Sequence, residues 1–233
     1  MERLLALMLL MSLLTVSCNK SGDGSSESSA STEATTGNGV DTPVTPENPT
    51  TETPSEEPTE TSTLPAQALS FKTNVSYLSG FDSADETKYN KAVAMVKKIV
   101  ATEAFRTRVL NHTYNGSKTF VQNNGLTNAQ VYQSILDAAE KLTPAKNNTL
   151  DVGVKLYYEN NSVVGYTNGS ITFINVNTKF FDSYATNSVA ANLFHEWLHK
   201  VGYGHDSSAT ARRPYSVPYA VGSIIRDIGK SFL

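Results

Sequence analysis

Three of the four histidines of this chain crowd into one short segment, His195-Glu196-Trp197-Leu198-His199-Lys200-Val201-Gly202-Tyr203-Gly204-His205. Residues four apart on a helix stand one turn above each other, so His195 and His199 offer two nitrogens to one metal ion from the same face. Glu196 lies on the neighbouring face, where a carboxylate reaches a metal-held water without ligating the metal, the position of a general base. Gly202 reads as the helix stop, because glycine enters the left-handed conformation cheaply, and the turn swings His205 back toward the pair. Three neutral imidazoles leave a fourth tetrahedral position open for water, as hydrolytic zinc sites require and closed structural sites do not. The alternative is an amphipathic helix with surface histidines. Five fixed positions weigh against it, since at ~1/20 each they match a chain of this size by accident with odds on the order of one in ten thousand.

The pattern resembles the signature of the metzincin superfamily of zinc endopeptidases, His-Glu-x-x-His-x-x-Gly-x-x-His followed by a tight turn containing methionine. The match covers His195 to His205. No methionine follows Met95, and Ser216-Val217-Pro218-Tyr219 is similar to the Ser-x-Met-x-Tyr form of the turn with the methionine lost and the tyrosine shifted by one position. The resemblance implies a zincin-like domain with a small mixed or antiparallel sheet, an active-site helix and a C-terminal helix, and one Zn2+ per domain on His195, His199 and His205. It implies an edge strand beside the active-site helix that holds an extended substrate by adding it to the sheet. Tyr219, with Tyr215 as substitute, would donate a hydrogen bond to the developing oxyanion or occupy a metal position in the resting site. Asp206, directly after the third histidine, is a candidate for orienting an imidazole, since a metal-bound histidine donates its other nitrogen proton to a carboxylate or carbonyl, with a loop aspartate bonding local backbone as the alternative.

The elements that must position these residues are legible in part. Val163 to Asn175 forms two apolar runs around an Asn-Gly turn signal, a candidate hairpin. Ser83-Ala84-Asp85-Glu86 has the form of a capping box, and Tyr89, Val93, Val96 and Val100 recur near helical spacing, which predicts a helix over 84–108. Thr127-Asn128-Ala129-Gln130 opens a second helix running to about Leu142, ended by Thr143-Pro144. A strand is expected over 151–158, the motif helix from Asn187 or Ser188, and a last helix over about 219–230. Two helices, a few strands and two more helices argue for an α+β domain. Trp197 reads as core packing and His112 as a lone histidine at a helix end. Arg212 and Arg213 are candidates for holding a substrate carboxylate, against a solvated or ion-paired role.

The first residues have another task. Arg3 precedes the apolar run Leu4 to Leu14, shorter than the ~20 residues that span a bilayer, and small residues follow before Cys18. That is the layout of an export signal, and Leu14-Thr15-Val16-Ser17-Cys18 resembles a loose bacterial lipobox, with Thr15 where an aliphatic residue is preferred. A plain cleaved secretory signal is the rival, and the lone cysteine of the chain favours lipidation, since an exported chain with one thiol has no internal disulfide to form. Residues 1–17 are thus a lipoprotein signal peptide. Residues 18–64 form a Ser/Thr/Glu/Pro-rich tether with Lys20 against nine acidic side chains, unable to build a core, and 65–233 is one domain. The net charge of −3 hides a mildly basic domain behind an acidic leader.

No phosphate-binding glycine loop, nucleophile motif or aromatic-rich basic nucleic-acid motif is visible. The sequence therefore predicts a lipid-anchored, extracytoplasmic monomer of a bacterial cell envelope, periplasmic or at the cell surface. Its expected activity is that of a zinc peptidase, an endopeptidase, hydrolysing peptide or protein substrates by a metal-activated water, with no nucleic-acid partner. The competing expectation is a catalytically inactive, zinc-containing surface binding lipoprotein, and a third is hydrolysis of a non-peptide amide.

Overall fold

The computed structural model describes residues 63–233. The expected export signal, Cys18 and nearly all of the tether lie outside the described residues. Among those described, no helix is long and apolar enough to cross a membrane.

A four-stranded sheet and the helices on one of its faces make an α+β domain. After a one-turn helix α1 (Ala66–Leu69), strand β1 (Lys72–Ser79) pairs parallel with β2 (Thr149–Tyr157). β2 in turn pairs parallel with β4 (Phe173–Asn177), and the two-residue β3 (Gly165–Tyr166) adds antiparallel to β4 at the edge, in the order β1-β2-β4-β3. Period-two alternation decides which face is covered: Leu150, Val152, Val154 and Leu156 point into the core, while Thr149, Asp151, Gly153 and Lys155 point to the open side.

The long crossover from β1 to β2 holds α2 (Ser83–Val100), α3 (Glu103–Leu110) and α4 (Asn128–Asp137). The single helix expected over 84–108 is therefore two. Thr102 turns the chain after Val100 and caps α3, its hydroxyl accepting from the Phe105 N–H at 3.1 Å. The capping box of α2 is formed by Asp82 with Asp85, one residue earlier than Ser83. The box at Thr127 and Gln130 is present as expected. α4 stops at Ala138 in a left-handed conformation, short of Leu142, and residues 140–143 form a tight turn instead. β1 was not expected at all. The 163–175 hairpin is present, although its first strand is only two residues long.

After the short α5 (Thr178–Phe181), the motif helix α6 (Thr186–Val201) begins one to two residues before Asn187 and Ser188, with no side-chain cap at Ala185. Asn187 instead donates to the Arg226 carbonyl of the next helix at 3.0 Å. α7 (Val217–Gly229) follows the loop that returns His205 and starts two residues before the expected 219. α6 packs against α2 and α7. Val189, Ala190, Leu193, Phe194, Trp197 and Leu198 recur in two columns four apart and are all buried, so this face anchors the helix in the core.

Candidate metal centre

The end of α6 is set by Gly202, at φ +119°, where a side chain would be strained. Its N–H bonds the His199 carbonyl at 3.1 Å and the Tyr203 N–H bonds the Leu198 carbonyl at 3.0 Å, the paired closure of a Schellman motif. The chain then doubles back and delivers His205 to the other two histidines. Ligand atoms of His195, His199 and His205 all lie within 4.8 Å of one another.

Each imidazole is also oriented from behind by a backbone carbonyl. His199 donates Nδ1–H to Tyr203 O at 2.8 Å, and His205 donates Nδ1–H to Asp206 O at 3.0 Å. His195 donates to the Pro218 carbonyl at the start of α7. A carbonyl accepts only, so these bonds place the proton on the outer nitrogen and leave the inner lone pair for a ligand. His195 Nε2 and His205 Nε2 stand 3.2 Å apart. Two nitrogens ~2.05 Å from a tetrahedral zinc are separated by ~3.3 Å, so the pair already has the spacing of two zinc ligands. Burial is the main reason all three imidazoles are held below their usual pKa, His199 at about 4 and His195 well below its ordinary value, with their mutual proximity adding to it at His195 and His199. The donor set is therefore neutral and ready for a cation, and the three residues can hold a metal ion.

Glu196 is 2% exposed, and burial pushes its carboxyl up to about 8 against the opposing effect of the Thr167 N–H, which donates to it. Thr167 directly follows β3, so the edge of the sheet and the carboxylate are joined by one hydrogen bond. α7 reaches the site because Gly222 allows it, since a Cβ there would meet Ala191 O at 3.3 Å and His195 Cβ at 3.4 Å. Tyr219, one turn earlier, lays its ring 4.6 Å from His195 and 4.8 Å from His205, edge to face. Tyr215 lies elsewhere: it is 41% exposed and pairs with Tyr114 at 5.1 Å. Of the two tyrosines, Tyr219 is the one whose ring meets the histidine cluster, at His195 and His205.

Asp206 orients His205, and does so through its main-chain carbonyl. Its carboxylate accepts from Gln122 Nε2 at 2.8 Å and Thr210 Oγ1 at 2.6 Å and lies 3.5 Å from Arg212, pinning the loop. Arg213 is 4% exposed, with its guanidinium 4.8 Å from the Tyr219 ring centroid. His112 is remote from the cluster in role, stacked on Phe120 at 4.0 Å and bonded to Thr119 O.

One support had no signal in the motif. Glu140, 2% exposed, accepts from Trp197 Nε1 at 2.7 Å and the Asp151 N–H at 3.1 Å, and pairs with Lys200 at 3.0 Å. Lys200, 4% exposed, also donates to Thr172 O at 2.9 Å. Trp197 is thus a core residue as expected, and with Lys200 it ties the metal helix to the sheet through one carboxylate. A charged residue breaking the apolar face of α6 at Lys200 was the available clue.

Comparison of the chain with protein-family models, curated proteins and solved structures returned no match.

Proposed function

We propose that this chain is a zinc-dependent peptidase of metzincin-like chemistry, an endopeptidase that holds one Zn2+ on His195, His199 and His205. In the same proposal it is anchored outside the cytoplasm of a bacterial cell through lipidated Cys18. The observation that carries the enzyme reading is a buried, non-ligating Glu196 carboxylate that directly follows His195 on the helix presenting two of three clustered imidazoles. A site meant only to hold metal has no use for a buried carboxylate that does not ligate. Imidazole donors with one open tetrahedral position suit zinc better than the oxygen-preferring cations.

A zinc ion held by His195, His199 and His205 would supply a Lewis acid for the scissile carbonyl and would lower the pKa of water toward ~7. Glu196 takes the proton of the attacking water and passes it to the leaving amine. A dication in the site would lower its carboxyl from the raised value set by burial, favouring the ionised base. The Tyr219 hydroxyl serves the oxyanion. The sheet edge at β3, joined to Glu196 through Thr167, aligns an extended peptide by main-chain pairing, which recognises peptides with little dependence on sequence.

The test is metal analysis followed by cleavage profiling against a mixed peptide library. One zinc per domain and cleavage by the wild type are expected. Glu196→Gln keeps zinc and fold but loses several orders of magnitude in rate, and His205→Ala loses metal. Equal background cleavage in wild type and Glu196→Gln overturns the peptidase reading in favour of a zinc-holding binding lipoprotein.

A further inference from the structure

One turn before the histidines, α6 turns another polar side chain toward the edge of the sheet. Asn192 stands three residues before His195 and four before Glu196, so Asn192 and Glu196 form one column along the helix, spaced by a rise of about 6 Å. That column runs beside β3. Glu196 accepts from the Thr167 N–H, and Asn192 Oδ1 and Nδ2 lie 3.0 Å and 3.4 Å from where a Cβ on Gly165 would stand. Two residues of strand advance about 6.6 Å, so helix and strand keep step from Asn192 and Gly165 to Glu196 and Thr167. Glycine at 165 leaves the room in which the amide sits.

Alternation along β3 decides which way its main chain faces. The Asn177 N–H bonds the Val164 carbonyl at 2.9 Å, which turns Val164 toward β4. Gly165, the next residue, turns its N–H and C=O to the free edge, and Thr167 does the same with the N–H that Glu196 takes. An extended peptide added to this edge pairs with Gly165, two residues from the one beside Thr167. Residues directly opposite in neighbouring strands send their side chains to the same face, and the face of Gly165 is the one Asn192 occupies. The peptide side chain opposite Gly165 is thus aimed at the Asn192 amide, which is partly buried and makes no hydrogen bond among the described residues. We propose that Asn192 forms a subsite selecting an amide side chain, asparagine or glutamine, on the substrate residue opposite Gly165. The inference deepens the peptidase reading and rests on it. An amide carries a donor and an acceptor side by side, so a second amide answers both at once. A carboxylate answers only the donor, and an apolar side chain removes both from water and answers neither.

The test is cleavage of a positional peptide library by the zinc-loaded full chain, with peptide binding to the Glu196→Gln variant as a readout without turnover. At a single position near the scissile bond, asparagine or glutamine should be preferred to leucine and to glutamate by roughly tenfold in kcat/KM, and by a similar factor in affinity for Glu196→Gln. Asn192→Leu should turn that preference toward leucine and leave the other positions as they were. Asn192→Asp, of the same size, should turn it toward lysine, which only donates. A wild type without an amide preference at any such position, or a preference that survives in Asn192→Leu, overturns the subsite and leaves the peptidase reading standing. Selectivity lost at every position in both variants marks general damage to the cleft and also overturns the subsite. Absence of cleavage by the wild type overturns both.

Discussion

Replacing Glu140 by glutamine changes one carboxylate oxygen for an amide nitrogen and should destabilise the domain by several kcal/mol, on the order of 3–5. The carboxylate and the Lys200 ammonium are 2% and 4% exposed and 3.0 Å apart. In Glu140→Gln the retained carbonyl Oε1 still accepts from both Trp197 and the Asp151 N–H, but the amide replaces the oxygen that faces Lys200 and leaves the buried ammonium its bond to Thr172 O. Breaking a buried pair from one side costs about 3–5 kcal/mol. For a domain of this size each kcal/mol moves Tm by roughly 2–4 °C, so a fall on the order of 10 °C is expected. The assay is urea unfolding followed by fluorescence. The chain has a single tryptophan, and Trp197 donates to the mutated side chain, so its emission reports on the cluster directly. Lys200→Met should cost a similar amount, and Glu140→Gln with Lys200→Met should cost less than the two together by at least about 2 kcal/mol. A loss below ~1 kcal/mol for Glu140→Gln, or strictly additive effects, would show that the pair does not couple α6 to the sheet.

Three further outcomes are expected. In the metal-free protein, His199 titrates at about 4 when folded against ~6.5 unfolded, and His195 and His205 shift the same way, so the unfolded chain binds more protons and stability falls as pH drops from ~6.5 toward 4, by on the order of 3 kcal/mol for His199 alone. Glu196, held at about 8, acts oppositely and removes stability as pH rises toward 8, so urea midpoints of chelator-treated protein should peak near neutrality; a flat profile between pH 7 and 5 refutes this. Gly202→Ala at φ +119° should cost roughly 1–3 kcal/mol and reduce zinc retention, because the turn carries both His205 and the Tyr203 carbonyl that holds His199; unchanged metal content would be the contrary result. Tyr219→Phe should lower peptide cleavage by roughly 10²–10³-fold with little change in KM, and Tyr215→Phe should not; the reverse outcome would reassign the oxyanion contact.

The ligand set was legible because its geometry is local: one helical turn separates His195 from His199, and one glycine returns His205. Asp206 was legible as an orienting residue from its place after His205, but the Tyr203 and Pro218 carbonyls that hold the other two imidazoles, and the Thr167 N–H that holds Glu196, were not, because every residue carries a carbonyl and nearly every one an N–H. The break between α2 and α3 was hidden by apolar residues that continue across it, from Val96 and Val100 to Phe105 and Val109. β1 escaped notice because it leaves Asn74, Ser76 and Leu78 exposed and turns only Val75 and Tyr77 toward the core side. The start of α6 was misplaced because Asn187, a good capping residue, spends its amide on α7.

The parallel pairing of β1 with β2 joins residues far apart in the chain, Asn74 meeting Asp151 across 77 positions. Such contacts are slow to form, because the entropy of closing so long a loop is lost before any pairing rewards it. His195 and His199, in contrast, come together as soon as one turn of helix exists. A chain still assembling its sheet can therefore hold a metal ion on two nitrogens, well before Thr167 reaches Glu196. Metal held that early also binds the non-native chain, which reduces the stabilisation that binding gives to the finished fold. On the proposed function, loading with metal and readiness for chemistry would then be separate events in the life of each molecule, ordered by how far along the sequence their parts must travel to meet.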